Sequence, residues 1–348
     1  MEALGICLGA STLGIVRVTK NGDKVDVADV KTVTHEGNPR KALLEALKQI
    51  PDVTRIPVAV TGRKFINFVN LTTISEPEAM ERAVAAVVPD LDRYRIVVSA
   101  GGETFLVYHL DETGKIQGIQ TGNKCASGTG EFFLQQIGRM NLTLDDVAEL
   151  GISEHPHKGS GRCSVFCKSD CTHALNKGVP RGQVVAGLAR MMAGKVKELL
   201  KKLPKKSVVL VGGSSRNKTM IHFLSQEIED LFIPEEAPYF EALGAALWAL
   251  DNPTVPYTGP ETVFQSKGSA FGFLKPLADF RHMVSFKERP RGKAQAGDRT
   301  ILGLDVGSTT TKGVIMRCSD KAILAADYLR TDGDPVGASR RVYASLAK

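Results

Sequence analysis

The sequence is poor in aromatic residues and in long apolar runs. Only 6% of its 348 residues are Phe, Trp or Tyr, and it has a single Trp. No window approaches the roughly 20 apolar residues that cross a bilayer, and no basic leader precedes the first apolar run. We therefore expect no membrane partner and a cytoplasmic location, where the six cysteines serve as thiols or metal ligands rather than disulfides.

The positive charge of the chain does not by itself indicate a nucleic-acid partner. The net charge is +7 and the isoelectric point is about 9.0, but most lysines and arginines are dispersed. No aromatic residues alternate with them, as they do on surfaces that stack nucleobases. Because phosphate-bearing ligands explain the same positive excess, we expect no nucleic acid among the partners.

Short β-branched segments alternate with helical ones between residues 3 and 250. Apolar residues recur at helical spacing from Val184 to Leu203, and residues 207–211 (Ser-Val-Val-Leu-Val) predict a continuous buried strand. This alternation is typical of the α/β class.

A sequence repeat divides the chain. Residues 303–312 (Gly-Leu-Asp-Val-Gly-Ser-Thr-Thr-Thr-Lys) restate the opening motif at residues 5–12 (Gly-Ile-Cys-Leu-Gly-Ala-Ser-Thr). Residues 251–299 hold five prolines and a basic tail, which is typical of a linker. We expect one module at 1–250, a linker at 251–299 and the start of a second, incomplete module at 300–348, as in a fragment of a longer protein.

Four glycine-bearing turns recur along the first module. They lie at residues 9–12, 101–102, 128–130 and 212–213. Small residues let backbone N–H groups approach a phosphate, and a helix N-terminus favours an anion. Together the four turns fit a two-lobed nucleotide-binding fold, although each one alone is a weak signal.

A cysteine stands beside the third of these turns. Residues 123–130 read Asn-Lys-Cys-Ala-Ser-Gly-Thr-Gly, and Cys163 follows Cys125 after 38 positions. A thiolate next to a nucleotide loop indicates coupling of phosphate chemistry to a metal or redox centre. Packing in the protein core is the alternative for both. Cys167 and Cys171 share a helix face with Cys163, so they are alternative ligands, a separate metal site with His173, or packing residues.

These motifs resemble the ATP-dependent activators of 2-hydroxyacyl-CoA dehydratases, relatives of the ATPase subunits of benzoyl-CoA reductase. The resemblance covers residues 3 to 250, with a second start at 301 to 348. It is carried by residues 123–130, 163–166, 211–217 and 241–246. It implies an α/β, two-lobed, actin-like ATPase fold with ribonuclease H-like lobes.

The resemblance also implies cofactors, partners and site residues. In that family a homodimer shares one [4Fe-4S] cluster, and Cys125 and Cys163 match its ligands. ATP with Mg²⁺ would drive one electron to a dehydratase or reductase partner, after an upstream donor such as ferredoxin or flavodoxin supplies it. The implied nucleotide residues of the first module are Gly9, Ser11, Thr12, Gly101, Gly102, Gly128, Thr129, Gly130, Gly212, Gly213 and Asn217. Those of the second module are Gly307, Ser308 and Thr309.

The first module departs from the family pattern at charged positions. Cys7 replaces an Asp that the second copy keeps as Asp305, and Gly14 stands where the second copy has Lys312. After Gly101-Gly102 the family has an amide and an Asp, whereas this chain has Glu103 and Thr104.

We therefore expect Asp305 and Lys312 to be catalytic in the second module, with Glu103 as a partial substitute in the first. Our hypothesis is that the first module keeps the cluster while the second turns over ATP. Two alternatives are a degenerate, nucleotide-binding docking module that holds a cluster without hydrolysis, and a small-molecule kinase of the same superfamily.

Overall fold

The computed structural model describes residues 1–62, 69–122, 128–161, 163–203, 206–264, 275–287 and 291–347. These residues form three sheets with helices packed on them, so the α/β class is confirmed. No helix in the described ranges combines the length and apolar content that crossing a membrane requires.

The first lobe is built on a five-stranded sheet of order β3-β2-β1-β4-β5. The first three strands are antiparallel, and β4 and β5 run parallel to β1. Helix α1 begins after Asn38, whose side chain accepts the N–H of Lys41, with Pro39 in the first turn. The elements are β1 (Glu2–Leu8), β2 (Thr12–Asn21), β3 (Lys24–Thr34), α1 (Pro39–Lys48), β4 (Val58–Thr61), β5 (Thr72–Thr73) and α2 (Glu76–Val87).

The second lobe repeats this topology. Its sheet has the order β10-β9-β6-β7-β8, with β7 and β8 antiparallel and β9 and β10 parallel to the central strand β6. The elements are β6 (Ile96–Ala100), β7 (Phe105–Leu110), β8 (Ile116–Thr121), α3 (Gly130–Arg139), α4 (Leu144–Glu149), α5 (Ser164–Asn176), α6 (Arg181–Leu199), β9 (Ser207–Val211), α7 (Lys218–Ser225) and β10 (Asp230–Phe232).

Helix α8 (Phe240–Asp251) packs on strands of the first lobe and crosses α2. At the crossing, a Cβ on Gly244 would lie 1.8 Å from the carbonyl oxygen of Ala79. Against β1, a Cβ on Gly5 would lie 2.0 Å from the carbonyl oxygen of Ala242. Since side chains would overlap main-chain atoms at both points, the two glycines allow α8 to contact α2 and β1 backbone to backbone.

The third sheet contains β11 (Thr300–Val306), β12 (Thr310–Arg317) and β13 (Ile323–Arg330), and α9 (Pro335–Leu346) follows it. This is the arrangement of β1, β2, β3 and α1 in the first lobe. The helix starts match as well, because Asp334 caps α9 before Pro335 as Asn38 caps α1 before Pro39. The sequence repeat therefore corresponds to a structural one.

The beginning of segment 251–299 packs on the first lobe. Tyr257 is 5% exposed and Val263 is fully buried in the core that α1 covers. The Asn70 side chain donates to the carbonyls of Thr262 and Phe264, over 2.9 and 3.1 Å. Residues 257–264 thus contribute to the core of the first lobe, while the described residues 275–287 are exposed.

Candidate functional site: a cleft between the two lobes

A cavity of about 530 Å³ lies between the first and second sheets. It is bordered by the β1–β2 turn, the β6–β7 turn, the start of α3, the turn after β9 and the start of α8. The predicted nucleotide residues that line it are Gly9, Ser11, Thr12, Gly101, Gly102, Gly130, Gly212, Gly213 and Asn217. Glu103 lines it as well, so the structure brings the predicted turns of the first module together around one cavity.

The first two turns have the same construction, and the third sheet repeats it. Residues 9–12, 101–104 and 307–310 each read Gly-x-x-Thr. In each turn the glycine N–H donates to the threonine carbonyl three residues later, over 2.8, 3.2 and 2.9 Å. The three hairpins are therefore structurally equivalent, and the residue two places before each glycine occupies a corresponding position.

The turns at 9–12 and 101–104 approach each other across the cleft. A Cβ on Gly102 would lie 2.9 Å from the Ala10 side chain and 3.9 Å from the Ser11 hydroxyl. The absence of a side chain at Gly102 thus permits this approach. Two facing turns with small residues can hold the phosphates of one nucleotide between them.

The start of α3 is bonded to the second of these turns. The N–H groups of Gly130 and Glu131 donate to the carbonyls of Gly101 and Gly102, over 3.3 and 3.0 Å. We expected such N–H groups to face a phosphate, but these two attach the helix to the phosphate turn instead. Gly128 and Thr129 precede the helix and are not among the residues that line the cavity.

The turn after β9 depends on glycine and on an asparagine cap. Gly212 has a φ of +92°, and a Cβ there would lie 2.8 Å from the Ala100 carbonyl oxygen. The Asn217 side chain accepts the Met220 N–H over 3.0 Å and lies 3.7 Å from the Met192 sulfur. Asn217 therefore lines the cleft while capping α7, which fixes the backbone of this turn.

The floor of the cleft carries a carboxylate that sequence reasoning did not single out. Glu241, in the first turn of α8, accepts the Ser99 hydroxyl over 2.8 Å, and Cys7 and Glu76 line the same cavity. Burial raises the pKa of the Cys7 thiol, and the Glu241 and Glu76 carboxylates raise it further. One signal was available: Glu241 is the only charged residue of α8 before Asp251.

The predicted residues of the second module lie apart from this cleft. Lys312 donates to Asp305 over 2.8 Å, and the two are cross-strand partners at the start of the third hairpin. This hydrogen bond raises the pKa of Lys312. With Tyr328 the pair borders a separate recess on the third sheet, and Gly307, Ser308 and Thr309 form the adjoining turn.

The two predicted cluster cysteines differ in what the structure describes. Cys125 lies outside the described residues. Cys163 immediately precedes α5, is partly exposed, and its side chain makes no capping hydrogen bond. The next turn presents Val165 and Phe166, each 66% exposed. A cysteine at this partly exposed position is accessible to a metal ion.

Cys167 and Cys171 point into the core of the second lobe. They are 1% and 6% exposed and belong to its main apolar cluster. A hydrogen bond with Cys167, together with burial, raises the pKa of Cys171, which opposes metal binding as a thiolate. This favours the packing interpretation for both. Within the described part of the chain, no three His, Cys, Asp or Glu side chains gather in an arrangement suited to a metal ion.

Comparison with known proteins agrees with this architecture. The 2-hydroxyisocaproyl-CoA dehydratase activator of Clostridioides difficile is 29% identical over 260 residues, covering 72% of this chain and 96% of that protein. The activator of lactoyl-CoA dehydratase of Anaerotignum propionicum is 27% identical, covering 72% of this chain and 98% of its own length.

A solved structure of the Clostridium difficile activator with bound ADPNP superposes with a TM-score of 0.63 at 26% identity, covering 72% of this chain and 95% of that one. The actin-like ATPase fold expected from the sequence is confirmed. Residues 4–249, more than half of the chain, match the model of one family. The chain belongs to the BadF/BadG/BcrA/BcrD ATPase family.

Proposed function

We propose that the protein is an ATP-coupled electron donor that activates a 2-hydroxyacyl-CoA dehydratase or a related CoA-ester reductase. The observation that carries this proposal is the connection between cleft and cysteine motif. The first N–H groups of α3 bond to the phosphate turn at 101–104, and Cys125 stands five residues before Gly130. The cysteine motif therefore directly precedes, in the sequence, the helix whose first N–H groups are bonded to the phosphate turn.

The cleft suits magnesium-bound ATP. The turns at 9–12 and 101–104 would hold the phosphates, and Phe133, Leu144 and Met192 provide apolar surface for the nucleoside. Hydroxyl and carboxylate oxygens in the cleft, including Ser11 and Glu103, are the ligand type that Mg²⁺ prefers. The similar activator holds ADPNP, which supports the same ligand class here. The reaction would convert ATP and water to ADP and phosphate.

Cys125 and Cys163 would hold the cluster, two thiolates from each subunit of a homodimer. When bound, a [4Fe-4S] cluster supplies one-electron transfer. The described member of the pair fits, since the Cys163 thiol is partly exposed at the start of α5. The exposed Val165 and Phe166 give a partner subunit apolar surface to cover.

In this scheme each turnover moves one electron. Ferredoxin or flavodoxin supplies it, and the dehydratase or reductase receives it and binds the acyl-CoA. ATP hydrolysis changes the angle between the lobes, and α3 transmits that change because its first turn is bonded to Gly101 and Gly102.

Anaerobic purification followed by iron and sulfide analysis tests the proposal. We expect about four irons per dimer and an EPR signal after reduction. Cys125→Ser and Cys163→Ser should each abolish both, whereas Cys167→Ser, in a core position, serves as the matched control and should retain them. A metal-free, monomeric protein from oxygen-free preparations would contradict the proposal.

One observation favours a second candidate, a nucleotide-binding docking module that does not hydrolyse ATP. Cys7 and Gly14 are cross-strand partners at the first phosphate turn, where the third sheet carries Asp305 and Lys312. The two candidates separate when hydrolysis is measured in the full chain and in its Asp305→Asn variant. Turnover that survives this substitution belongs to the first cleft.

A further inference from the structure

The three equivalent hairpins differ at one chemically important position. Two residues before the turn glycine stand Cys7 in β1, Ser99 in β6 and Asp305 in β11. Across the hairpin they pair with residues 14, 106 and 312, respectively. Of the three positions only 305 carries a carboxylate, so neither hairpin of the nucleotide cleft supplies one there.

A carboxylate nevertheless reaches this part of the cleft from α8. Glu241 accepts the Ser99 hydroxyl over 2.8 Å and lines the same cavity as Cys7. Glu241 therefore shares the cavity with Cys7 of the first lobe and is bonded to Ser99 of the second, the two corresponding hairpin positions. The residue opposite Cys7 also faces this helix, because a Cβ on Gly14 would lie at contact distance, 3.7 Å, from the Ala242 side chain.

We propose that Glu241 supplies the carboxylate that β1 lacks, and that it orients the magnesium-bound water around the nucleotide phosphates. The inference rests on the proposed function, since it requires a nucleotide in this cleft. Magnesium in such sites keeps several waters and is held by one or two carboxylates together with substrate phosphates. A thiol such as Cys7 is a poor ligand for it, so the carboxylate must come from another element.

Two further observations support Glu241 in this position. Glu241 belongs to α8, which packs on the first lobe. Its hydrogen bond with Ser99 holds the carboxylate against β6, the central strand of the second lobe. The Glu241 and Glu76 carboxylates lie close enough to Cys7 to raise its pKa beyond the effect of burial. Negative charge therefore lies beside the position that carries Asp305 in the third hairpin. Two other carboxylates line the cavity: Glu76 is the first residue of α2, and Glu103 belongs to the β6–β7 turn.

The test measures how strongly Mg²⁺ tightens ADP binding, by calorimetry on the full chain with and without EDTA. In Glu241→Gln we expect the magnesium-dependent gain in affinity to fall by about 10- to 100-fold, the usual effect of losing a group that holds metal-bound water. Affinity in EDTA should stay close to that of the wild type. Glu78→Gln is the matched control, since Glu78 bonds to Trp248 of α8 outside the cleft, and it should bind like the wild type.

Moving the carboxylate back to β1 provides a rescue. Glu241→Gly alone should lose the magnesium dependence, and Cys7→Asp in that background should restore at least part of it. A Glu241→Gln variant with wild-type magnesium dependence would overturn the inference and leave the proposed function intact. A wild-type protein that binds no ADP under any condition would overturn both.

Discussion

Replacing Gly244 by alanine tests the crossing of α2 and α8 at the base of the cleft. The added Cβ would lie 1.8 Å from the Ala79 carbonyl oxygen and 2.5 Å from its carbonyl carbon. Both atoms are main chain, so no rotamer change relieves the overlap. Ordinary contact begins at 3.4 Å, and the helices would have to separate by roughly 1.6 Å, which forfeits dispersion contacts along the crossing.

The magnitude follows from two opposing effects. Overpacking of this kind costs about 3 kcal/mol at the upper end of the usual range, while alanine favours the helix over glycine by about 1 kcal/mol. We therefore expect a net loss of about 2 kcal/mol in the free energy of unfolding. For a domain of this size, that corresponds to a melting temperature lower by about 4–8 °C.

Urea denaturation followed by circular dichroism measures the effect, with Gly194→Ala as the control. Gly194 lies within α6 and has no atom within 4 Å of its would-be Cβ, so alanine there should stabilise by about 0.5–1 kcal/mol. Equal stability of Gly244→Ala and the wild type, beside a stabilised Gly194→Ala, would refute the backbone contact. Because α8 also carries Glu241, nucleotide affinity should fall with Gly244→Ala and not with Gly194→Ala.

Two other substitutions and treatments probe the cleft. The raised pKa of Cys7 leaves little thiolate at pH 8, so alkylation by iodoacetamide, followed by mass spectrometry, should be slow. It should become faster at higher pH and in Glu241→Gln. Rapid labelling of the wild type at pH 8 would contradict this environment. Gly130→Ala should weaken ADP binding, because its Cβ would lie 2.5 Å from the Ser214 hydroxyl. Adding Ser214→Ala should recover part of the lost affinity. If it recovers none, this clash is not the cause of the loss.

Features set by local chemistry were predictable from the sequence. The continuous buried strand predicted at 207–211 is β9, and its residues 208–211 are fully buried, because a strand covered on both faces needs no polar alternation. The apolar stripe from Val184 to Leu203 is α6 followed by a 3₁₀ turn. Glycine turns were predictable for the same reason, since their backbone demands act within four residues.

Contacts between distant elements were not predictable. Glu241 and Ser99 are 142 residues apart, and their contact depends on how α8 packs on the first lobe rather than on any local pattern. Helical spacing placed Cys167 and Cys171 on one face with Cys163, but periodicity does not say whether that face is covered. In the structure the side chains of Cys167 and Cys171 are buried in the core of the second lobe, where α5 packs against α6.

In this chain the first and third hairpins also differ in what covers them. Side chains of Asp305 and Lys312 are 68% and 45% exposed, so their ion pair remains largely hydrated and costs little to maintain. At the first hairpin the backbone of α8 lies directly over β1 at Gly5, and a charged pair there would lose its hydration. Cys7 and Gly14 avoid that cost. Because Glu241 lines the same cavity as Cys7, Cys7→Asp while Glu241 is present should place two carboxylates together and lower stability. The loss should be smaller when Glu241→Gly removes one of the two.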